Sequence, residues 1–137
     1  ALIQKFVDAR ESGEPEVEVW GSGYYEGTPV SREFLYVEDA ADGIALAAER
    51  YDEAAPVNIG AGREVPINDL IAMVRDMTGY QGRIVRDLTK PDGQPRRCLD
   101  TSRAKEKFGF VARTPFEEGL RRTIAWYEQA RRERQER

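Results

Sequence analysis

The chain has 137 residues, the length of one domain, and its 40% apolar content can supply a hydrophobic core. Its net charge of −4 argues against non-specific binding to nucleic acid, which needs a positive excess. No apolar run approaches the roughly 18 residues that would indicate a transmembrane helix, and the first residues are too few and too polar for a signal peptide. A single cysteine cannot form an internal disulfide, so we expect a cytoplasmic protein.

The absence of histidine restricts the chemistry that this chain can carry. It removes the commonest general base, the Ser-His and Cys-His dyads, and most zinc-site patterns. No Walker loop and no G-x-G-x-x-G motif is present, and Gly21-Ser22-Gly23 is too short a match to count. None of the 25 carboxylates forms a pair that stands out by spacing. The residues therefore predict no catalytic set and no metal site.

The first third of the chain predicts a helix followed by short strands. Apolar residues at helical spacing begin at Leu2, and the helix is expected to stop at 12–15, S-G-E-P. Alternating residues 17–20 predict a strand that Gly21-Ser22-Gly23 ends. Residues 24–29 are expected to form a loop, and the apolar run 34–37 a second strand.

An alanine-rich helix is predicted over residues 38–51. Val37, Ala41, Ile44, Ala48 and Tyr51 step by three and four residues and so share one face. Small residues on that face allow close approach to a neighbour, either a sheet in this chain or a part of the protein outside it.

The second half predicts two further strands and three helices. The strands are expected at 56–60 and around 84–85, and the helices after Pro66, after Ser102, and from a capping box at 114–117 to about residue 131. Residues 131–137 carry nothing apolar and are expected to be a frayed, solvated helix end. The predicted fold is a single mixed α/β (α+β) domain over residues 1–137, with short strands and about five helices.

One constrained loop, residues 89–100, combines two prolines, a glycine, an acid and two arginines. Asp92-Gly93 is a turn dipeptide, so Asp92 is expected at the loop tip, with Arg96 and Arg97 following. A fixed carboxylate and two guanidiniums suit a ligand that has a phosphate and a hydroxyl-rich part. An ordinary surface loop whose arginines pair with local acids is an equally good interpretation of these residues alone.

Two more residues could reach the same cleft. Trp20 precedes a glycine turn, where its ring could lie flat against a base or a sugar, although a core position is the safer interpretation. Arg32 enters the next strand and could bind an anion, or could pair with Glu33 or Glu38 instead. The candidate residues for binding an anion and a base or sugar ring are therefore Trp20, Arg32, Asp92, Arg96 and Arg97.

Five stretches, in this order, resemble the C-terminal half of the GDP-L-fucose synthase family, a branch of the extended short-chain dehydrogenases. They are residues 19–23 (V-W-G-S-G), 28–29 (T-P), 32–39 (R-E-F-L-Y-V-E-D), 58–60 (N-I-G) and 90–100 (K-P-D-G-Q-P-R-R-C-L-D). The third and fourth occur widely among nucleotide-sugar epimerases and dehydratases, whereas K-P-D-G-x-P-R is more specific to the fucose synthase branch.

The resemblance implies NADP-dependent epimerisation and reduction of GDP-4-keto-6-deoxy-D-mannose. It implies that an N-terminal Rossmann domain, absent here, binds NADP(H) and carries the catalytic residues. The chain would then be the substrate-binding domain, inactive by itself, with no catalytic, cofactor-binding or metal-binding residue of its own. Its implied partners are that Rossmann domain and a nucleotide sugar, with a GDP-sugar favoured.

By the same resemblance, Trp20 and Arg32 would contact the GDP portion and Asp92 the guanosine end. Arg97 stands where the family has lysine, which keeps the charge but changes the geometry. Residues 24–27 resemble an insertion beside the cleft. Two alternatives remain open: the substrate domain of a UDP- or dTDP-sugar epimerase or dehydratase, and a non-catalytic fragment that associates with itself as a homo-oligomer through the alanine-rich face.

Overall fold

The computed structural model describes residues 2–136 and has five helices and six short strands there. The helices are α1 (Leu2–Ser12), α2 (Val37–Arg50), α3 (Ile67–Thr78), α4 (Ser102–Phe108) and α5 (Phe116–Gln135). The strands are β1 (Glu16–Trp20), β2 (Tyr24–Tyr25), β3 (Thr28–Pro29), β4 (Ser31–Glu33), β5 (Glu64–Pro66) and β6 (Arg83–Asp87). The predicted mixed α/β class is confirmed.

The strands pair two by two. β1 runs parallel to β6, with Glu16 opposite Arg83 and Trp20 opposite Asp87. β2 and β3 form an antiparallel hairpin, and β4 pairs antiparallel with β5. Residues 95–97 run along the other edge of β4. The N–H groups of Ser31 and Glu33 donate to the carbonyls of Pro95 and Arg97 at 3.1 and 3.0 Å. The candidate loop is thus attached directly to β4.

The main core lies between β1 and helices α1, α3 and α5. Its side chains come from the predicted apolar stripes and include Phe6, Val19, Leu70, Val74 and Ile124. The Met73 and Met77 side chains pack against this core. Gly79, at φ 71°, ends α3 in the left-handed conformation that glycine adopts most easily.

A second core holds α2 against α4 and corrects the predicted face of α2. A Cβ at Gly43 would come within 2.7 Å of Ile59 Cγ2 and 3.0 Å of the Phe110 ring, so α2 packs closely through Gly43. Most of the predicted face points outward instead, with Val37 71% and Ile44 64% exposed, and only Tyr51 at its end packs in the second core. Alanines on several sides of α2 made the packed face hard to identify from spacing.

Two predicted strands are wrong. The strand expected at 34–37 lies at Ser31–Glu33, and Phe34 packs on Phe116 with ring centroids 5.5 Å apart. Within the described chain, no strand pairs with residues 56–60, and the partner of β4 is Glu64–Pro66, which the pattern did not indicate. The segment 24–29, expected to be a loop, is the β2–β3 hairpin.

The predicted capping boundaries also need correction. At α5 no side chain caps the helix; the N–H of Thr114 donates instead to the buried Asp39 carboxylate at 3.0 Å. At α4 Thr101 holds the N-cap position without a side-chain capping bond, and Ser102 is the first helical residue, with its N–H donating to Asp100 Oδ1 at 2.9 Å.

The last helix is longer than predicted. It continues to Gln135, and Arg131 pairs with Asp8 and with Glu11 of α1, so Arg131 is not a solvated end. Arg137, which closes the predicted frayed end, lies outside the described residues. Through residues 2–136 we find no helix with the length and hydropathy of a membrane span.

Candidate functional site

The centre of the site is the turn that follows β1. Gly21 and Gly23 have φ values of 69° and 79°, which favour glycine. Asp92 Oδ1 accepts hydrogen bonds from Gly23 N–H at 2.7 Å and from Ser22 Oγ at 3.1 Å. A Cβ on Gly21 would lie 2.5 Å from the same oxygen, so the missing side chain lets the loop close on the turn.

The Asp92 carboxylate is held in its ionised form. The Gly23 N–H bond lowers the pKa of Asp92 most, and this effect and the Ser22 contacts outweigh the opposing effect of desolvation. Asp92 therefore brings a fixed negative charge to the loop tip, as the sequence predicted for its position. Its contact with a ligand stays a prediction.

Trp20 lies at the surface, one residue before the turn. Its side chain is 61% exposed, so the interpretation of Trp20 as a core residue is wrong. Lys90 Nζ lies 5.6 Å from the centroid of the Trp20 ring, a cation–π distance. An exposed indole next to a cation is a chemically suitable surface for a planar group attached to phosphate.

Arg32 joins β4 to the candidate loop. Its Nη1 donates to the carbonyls of Ser31 and Gln94, both at 2.6 Å. In the described part of the chain Arg32 forms no ion pair with Glu33 or Glu38, so that alternative is not observed. A guanidinium carries five N–H donors, and donors on Nε and Nη2 remain for an anion.

The two adjacent arginines differ. Arg96 Nε contacts both oxygens of the Glu64 carboxylate at 2.8 and 2.9 Å, so the local-pairing interpretation applies to Arg96. The Ser31 hydroxyl first, and then Arg96, lower the pKa of Glu64. The exposed Arg97 side chain has no ion pair with any residue of 2–136, while its carbonyl accepts the Glu33 N–H at 3.0 Å. Arg97 is therefore the better candidate cation.

Glu33 organises the site, and the sequence analysis missed this role. Its Oε1 accepts the N–H groups of Ala61 and Gly62 at 2.5 and 3.1 Å, and Oε2 accepts the Leu99 N–H at 2.6 Å. Burial on its own raises the pKa of Glu33, but the N–H groups that donate to the carboxylate outweigh it and lower the pKa below 4.5. The glutamate directly after Arg32 was the only available signal.

A pair of polar side chains, Arg86 and Asn68, is hydrogen-bonded to the turn. Arg86 Nη2 donates to Asn68 Oδ1 at 2.6 Å, and Asn68 Nδ2 donates to the Ser22 carbonyl at 3.4 Å. A Cβ on Gly23 would lie 2.2 Å from Asn68, so the second glycine is needed here as well. The sequence analysis also missed this pair, because nothing in the local pattern links residues 18 positions apart.

The structure brings the predicted residues to one edge of the molecule. Trp20 directly precedes the turn to which Asp92 is bonded, Arg32 bonds to the loop after Asp92, and Arg97 follows on the same loop. A largely apolar cavity of about 450 Å³ lies elsewhere, lined by residues that include Leu2, Phe34 and Phe116. Among residues 2–136, no three His, Cys, Asp or Glu side chains are grouped closely enough to hold a metal ion.

Comparison with known proteins identifies the family. The profile of the NAD dependent epimerase/dehydratase family matches residues 1–60, which include Trp20, Arg32 and Glu33. Probable GDP-L-fucose synthase 1 from rice, Oryza sativa subsp. japonica, is 42% identical over 127 residues, covering 93% of this chain. The chain belongs to the NAD dependent epimerase/dehydratase family. The resemblance seen in the sequence is thereby confirmed.

Solved structures of this epimerase/dehydratase family share the fold. A GDP-L-fucose synthetase from Naegleria fowleri matches with a TM-score of 0.83 and 25% identity, over 93% of this chain and 38% of that one. A UDP-glucose 4-epimerase from Thermotoga maritima, determined with UDP-glucose, matches with a TM-score of 0.76 and 30% identity, over 95% and 40%. The chain spans 37% of the length of the rice relative.

Replacing Glu33 by glutamine tests whether its carboxylate holds the site loops. The amide would turn an NH2 group toward one of the donating N–H groups, so we expect Glu33→Gln to lower the free energy of unfolding at pH 7 by about 0.5–1.5 kcal/mol, since these bonds are partly exposed to solvent. Because the folded-state pKa is lowered, this contribution is present above the unfolded pKa. It is lost as the pH falls through the folded pKa.

Urea denaturation at several pH values measures the effect. The gap between Glu33→Gln and the unsubstituted chain should be widest at pH 7 and shrink in acid. Glu106→Gln, at an exposed position on α4, is the matched control and should change stability by less than about 0.5 kcal/mol. A loss equal to that of the control would remove Glu33 from this role.

Proposed function

We propose that the chain is the substrate-binding domain of a GDP-L-fucose-synthase-like enzyme and binds a GDP-4-keto-6-deoxyhexose. The hydrogen bonds that join the segments of Trp20, Arg32, Asp92 and Arg97 carry the proposal. The 42% identity to the rice GDP-L-fucose synthase supports the choice of a GDP-sugar. The cytoplasmic location expected from the lone cysteine is part of the same proposal.

Each side chain has a chemical role in this proposal. The exposed Trp20 ring offers a face on which a planar base or a sugar can pack. Arg32 and Arg97 provide guanidiniums for the diphosphate, since phosphate and guanidinium form paired, charge-assisted hydrogen bonds. The ionised Asp92 accepts N–H or O–H donors from the guanosine end. The bonds that fix Asp92 and Arg32 in the loop mean that little ordering is needed when a ligand binds.

NADP(H) does not fit the described residues. A dinucleotide site needs a glycine-rich turn between a strand and the start of a helix. Gly21-Ser22-Gly23 follows β1 but leads into the β2–β3 hairpin, so no helix N-terminus faces a pyrophosphate there. We therefore place the cofactor, and the groups that transfer hydride and protons, on the N-terminal Rossmann domain.

The outward face of α2 fits such a partner domain. Val37 and Ile44 are exposed there beside alanines, with only small side chains between them. Contiguous apolar surface on a folded domain marks an interaction site. The unpaired residues 56–60, predicted as a strand from their sequence, could pair with a strand of the same partner. In the intact protein, the Rossmann domain would cover both.

A second candidate keeps the fold and changes the nucleotide. The UDP-glucose 4-epimerase match at 30% identity favours the substrate domain of a UDP-sugar enzyme, with dTDP-sugars as a related choice. The two candidates differ in which base binds at the end of the site that contains Asp92 and Trp20.

A titration of the 137-residue chain with GDP-mannose, UDP-glucose and dTDP-glucose distinguishes the candidates. We expect NMR shifts at the Trp20 indole and at residues 92–97 with GDP-mannose, and much weaker ones with the other two. Equal shifts with all three would favour a site that reads only the diphosphate. No shift with any of them would contradict a preformed site on this domain.

Arg32→Ala tests the proposed phosphate contact. Loss of a charge-assisted bond worth ~1.5–3 kcal/mol should weaken the binding of GDP-mannose about tenfold to a hundredfold, measured by calorimetry. Arg132→Ala, on the exposed part of α5, removes the same charge far from the site and should leave the affinity unchanged. An unchanged affinity for Arg32→Ala would take Arg32 out of the site.

The α2 face should make the isolated domain associate with itself when its partner is absent. We expect sedimentation to show association that rises with concentration and that Ile44→Lys abolishes without lowering the melting temperature, because Ile44 is already exposed. Trp126→Lys, at another exposed apolar position, is the control and should not affect association. A monomer at concentrations far above micromolar would contradict this use of α2.

A further inference from the structure

The β2–β3 hairpin is a small, fixed projection next to Asp92. Tyr24 pairs with Pro29 and Tyr25 with Thr28, and Glu26 and Gly27 form the connecting turn. Both turn residues have positive φ, 48° and 80°, as in the tight turns whose twist matches that of antiparallel strands. The sequence analysis expected a loop here, and a loop would not hold its side chains in place.

Both ends of the hairpin are anchored. Val30, directly after β3, is buried; its N–H donates to the Gly23 carbonyl at 2.9 Å, and its carbonyl accepts the Ile67 N–H at 2.8 Å. At the other end the Tyr24 N–H donates to Ser22 Oγ at 3.0 Å, and Ser22 Oγ donates to Asp92. The hairpin is therefore fixed relative to the Asp92 carboxylate.

The hairpin presents two large aromatic side chains to solvent. Tyr24 is 48% and Tyr25 46% exposed, and neither belongs to the apolar cores. Tyrosine offers a large contact area and loses little conformational entropy when it is ordered, so it is common on binding surfaces. Two exposed tyrosines on an anchored hairpin provide such a surface next to Asp92, because the hairpin directly follows the glycine turn to which Asp92 is bonded.

We propose that the hairpin forms the nucleoside-binding wall of the site and that one of its two tyrosines packs against the nucleoside of the bound ligand. The inference rests on the proposed function and specifies which part of the ligand meets the hairpin. An ionised carboxylate attracts N–H and O–H donors and repels phosphate, so the diphosphate does not lie beside Asp92, and in the proposed function the group there is the nucleoside. The diphosphate lies toward Arg32 and Arg97.

Strand geometry makes the proposal sharper. Successive side chains of a strand point to opposite faces, so Tyr24 and Tyr25 lie on opposite faces of the hairpin. Only one of them can face the ligand, and the other serves as a matched control of the same size and chemistry. The hexose lies beyond the diphosphate, so the contact should contribute equally to the binding of GDP and of GDP-mannose.

Calorimetry of the chain with GDP and with GDP-mannose tests the inference. We expect one of Tyr24→Ser and Tyr25→Ser to weaken both affinities by about three- to tenfold and the other to leave both unchanged. Trp126→Ala controls for the loss of an exposed aromatic side chain elsewhere. The melting temperatures of the variants should match that of the unsubstituted chain. A loss of affinity would then not be due to unfolding.

Each other outcome overturns a definite statement. If the unsubstituted chain binds GDP and neither tyrosine variant differs from it, the hairpin inference is wrong and the proposed function stands. A loss confined to GDP-mannose would place the hairpin at the hexose, and equal losses for both tyrosines would contradict the single facing ring. If the unsubstituted chain binds neither ligand, the proposed function fails first and the hairpin inference with it.

Discussion

The Glu33 carboxylate is the contact on which the candidate site depends. It accepts N–H groups from residues 61, 62 and 99, and so joins β4 to two segments that are far from it in sequence. Without it, three backbone donors would lose their partner within the chain, and a typical intramolecular hydrogen bond contributes about 0.5–1.5 kcal/mol to stability. Arg32 precedes Glu33 on β4, and Arg97 lies on a segment held by Glu33. The two cations of the site are thus positioned by one acid.

Two other carboxylates work in the same way. Asp92 accepts Gly23 N–H across 69 residues, and Asp39 accepts Thr114 N–H across 75. The strands of this domain are only two to five residues long, so strand ladders supply few long-range hydrogen bonds. Ionised side chains that accept backbone donors replace them, and charge makes these bonds stronger than neutral ones. Acidic side chains that accept backbone N–H groups therefore stabilise much of the tertiary structure.

Local patterns predicted what local forces determine. The helical spacing of α1, the alternation of β1 and the helix after Pro66 were all evident, because each follows from neighbours within a turn or two. β4 and β5 were misplaced because their pairing is chosen by distant residues. Within the site, the position of Asp92 followed from turn chemistry, whereas Trp20, for which a core position was the safer interpretation, is exposed. Glu33 and the Arg86–Asn68 pair did not, since their partners lie 18 to 66 positions away.

The contacts that hold the candidate site determine what this domain can do without a partner. The hydrogen bonds that hold Asp92, Arg32 and the hairpin join residues within 2–136. In the proposed function, ligand binding then needs no ordering by another domain, and the free energy of binding is not spent on folding the loops. The α2 face differs, since its exposed apolar side chains gain only when a second surface covers them. The proposed function therefore assigns recognition of the nucleotide and assembly with a partner domain to separate surfaces of the same small domain.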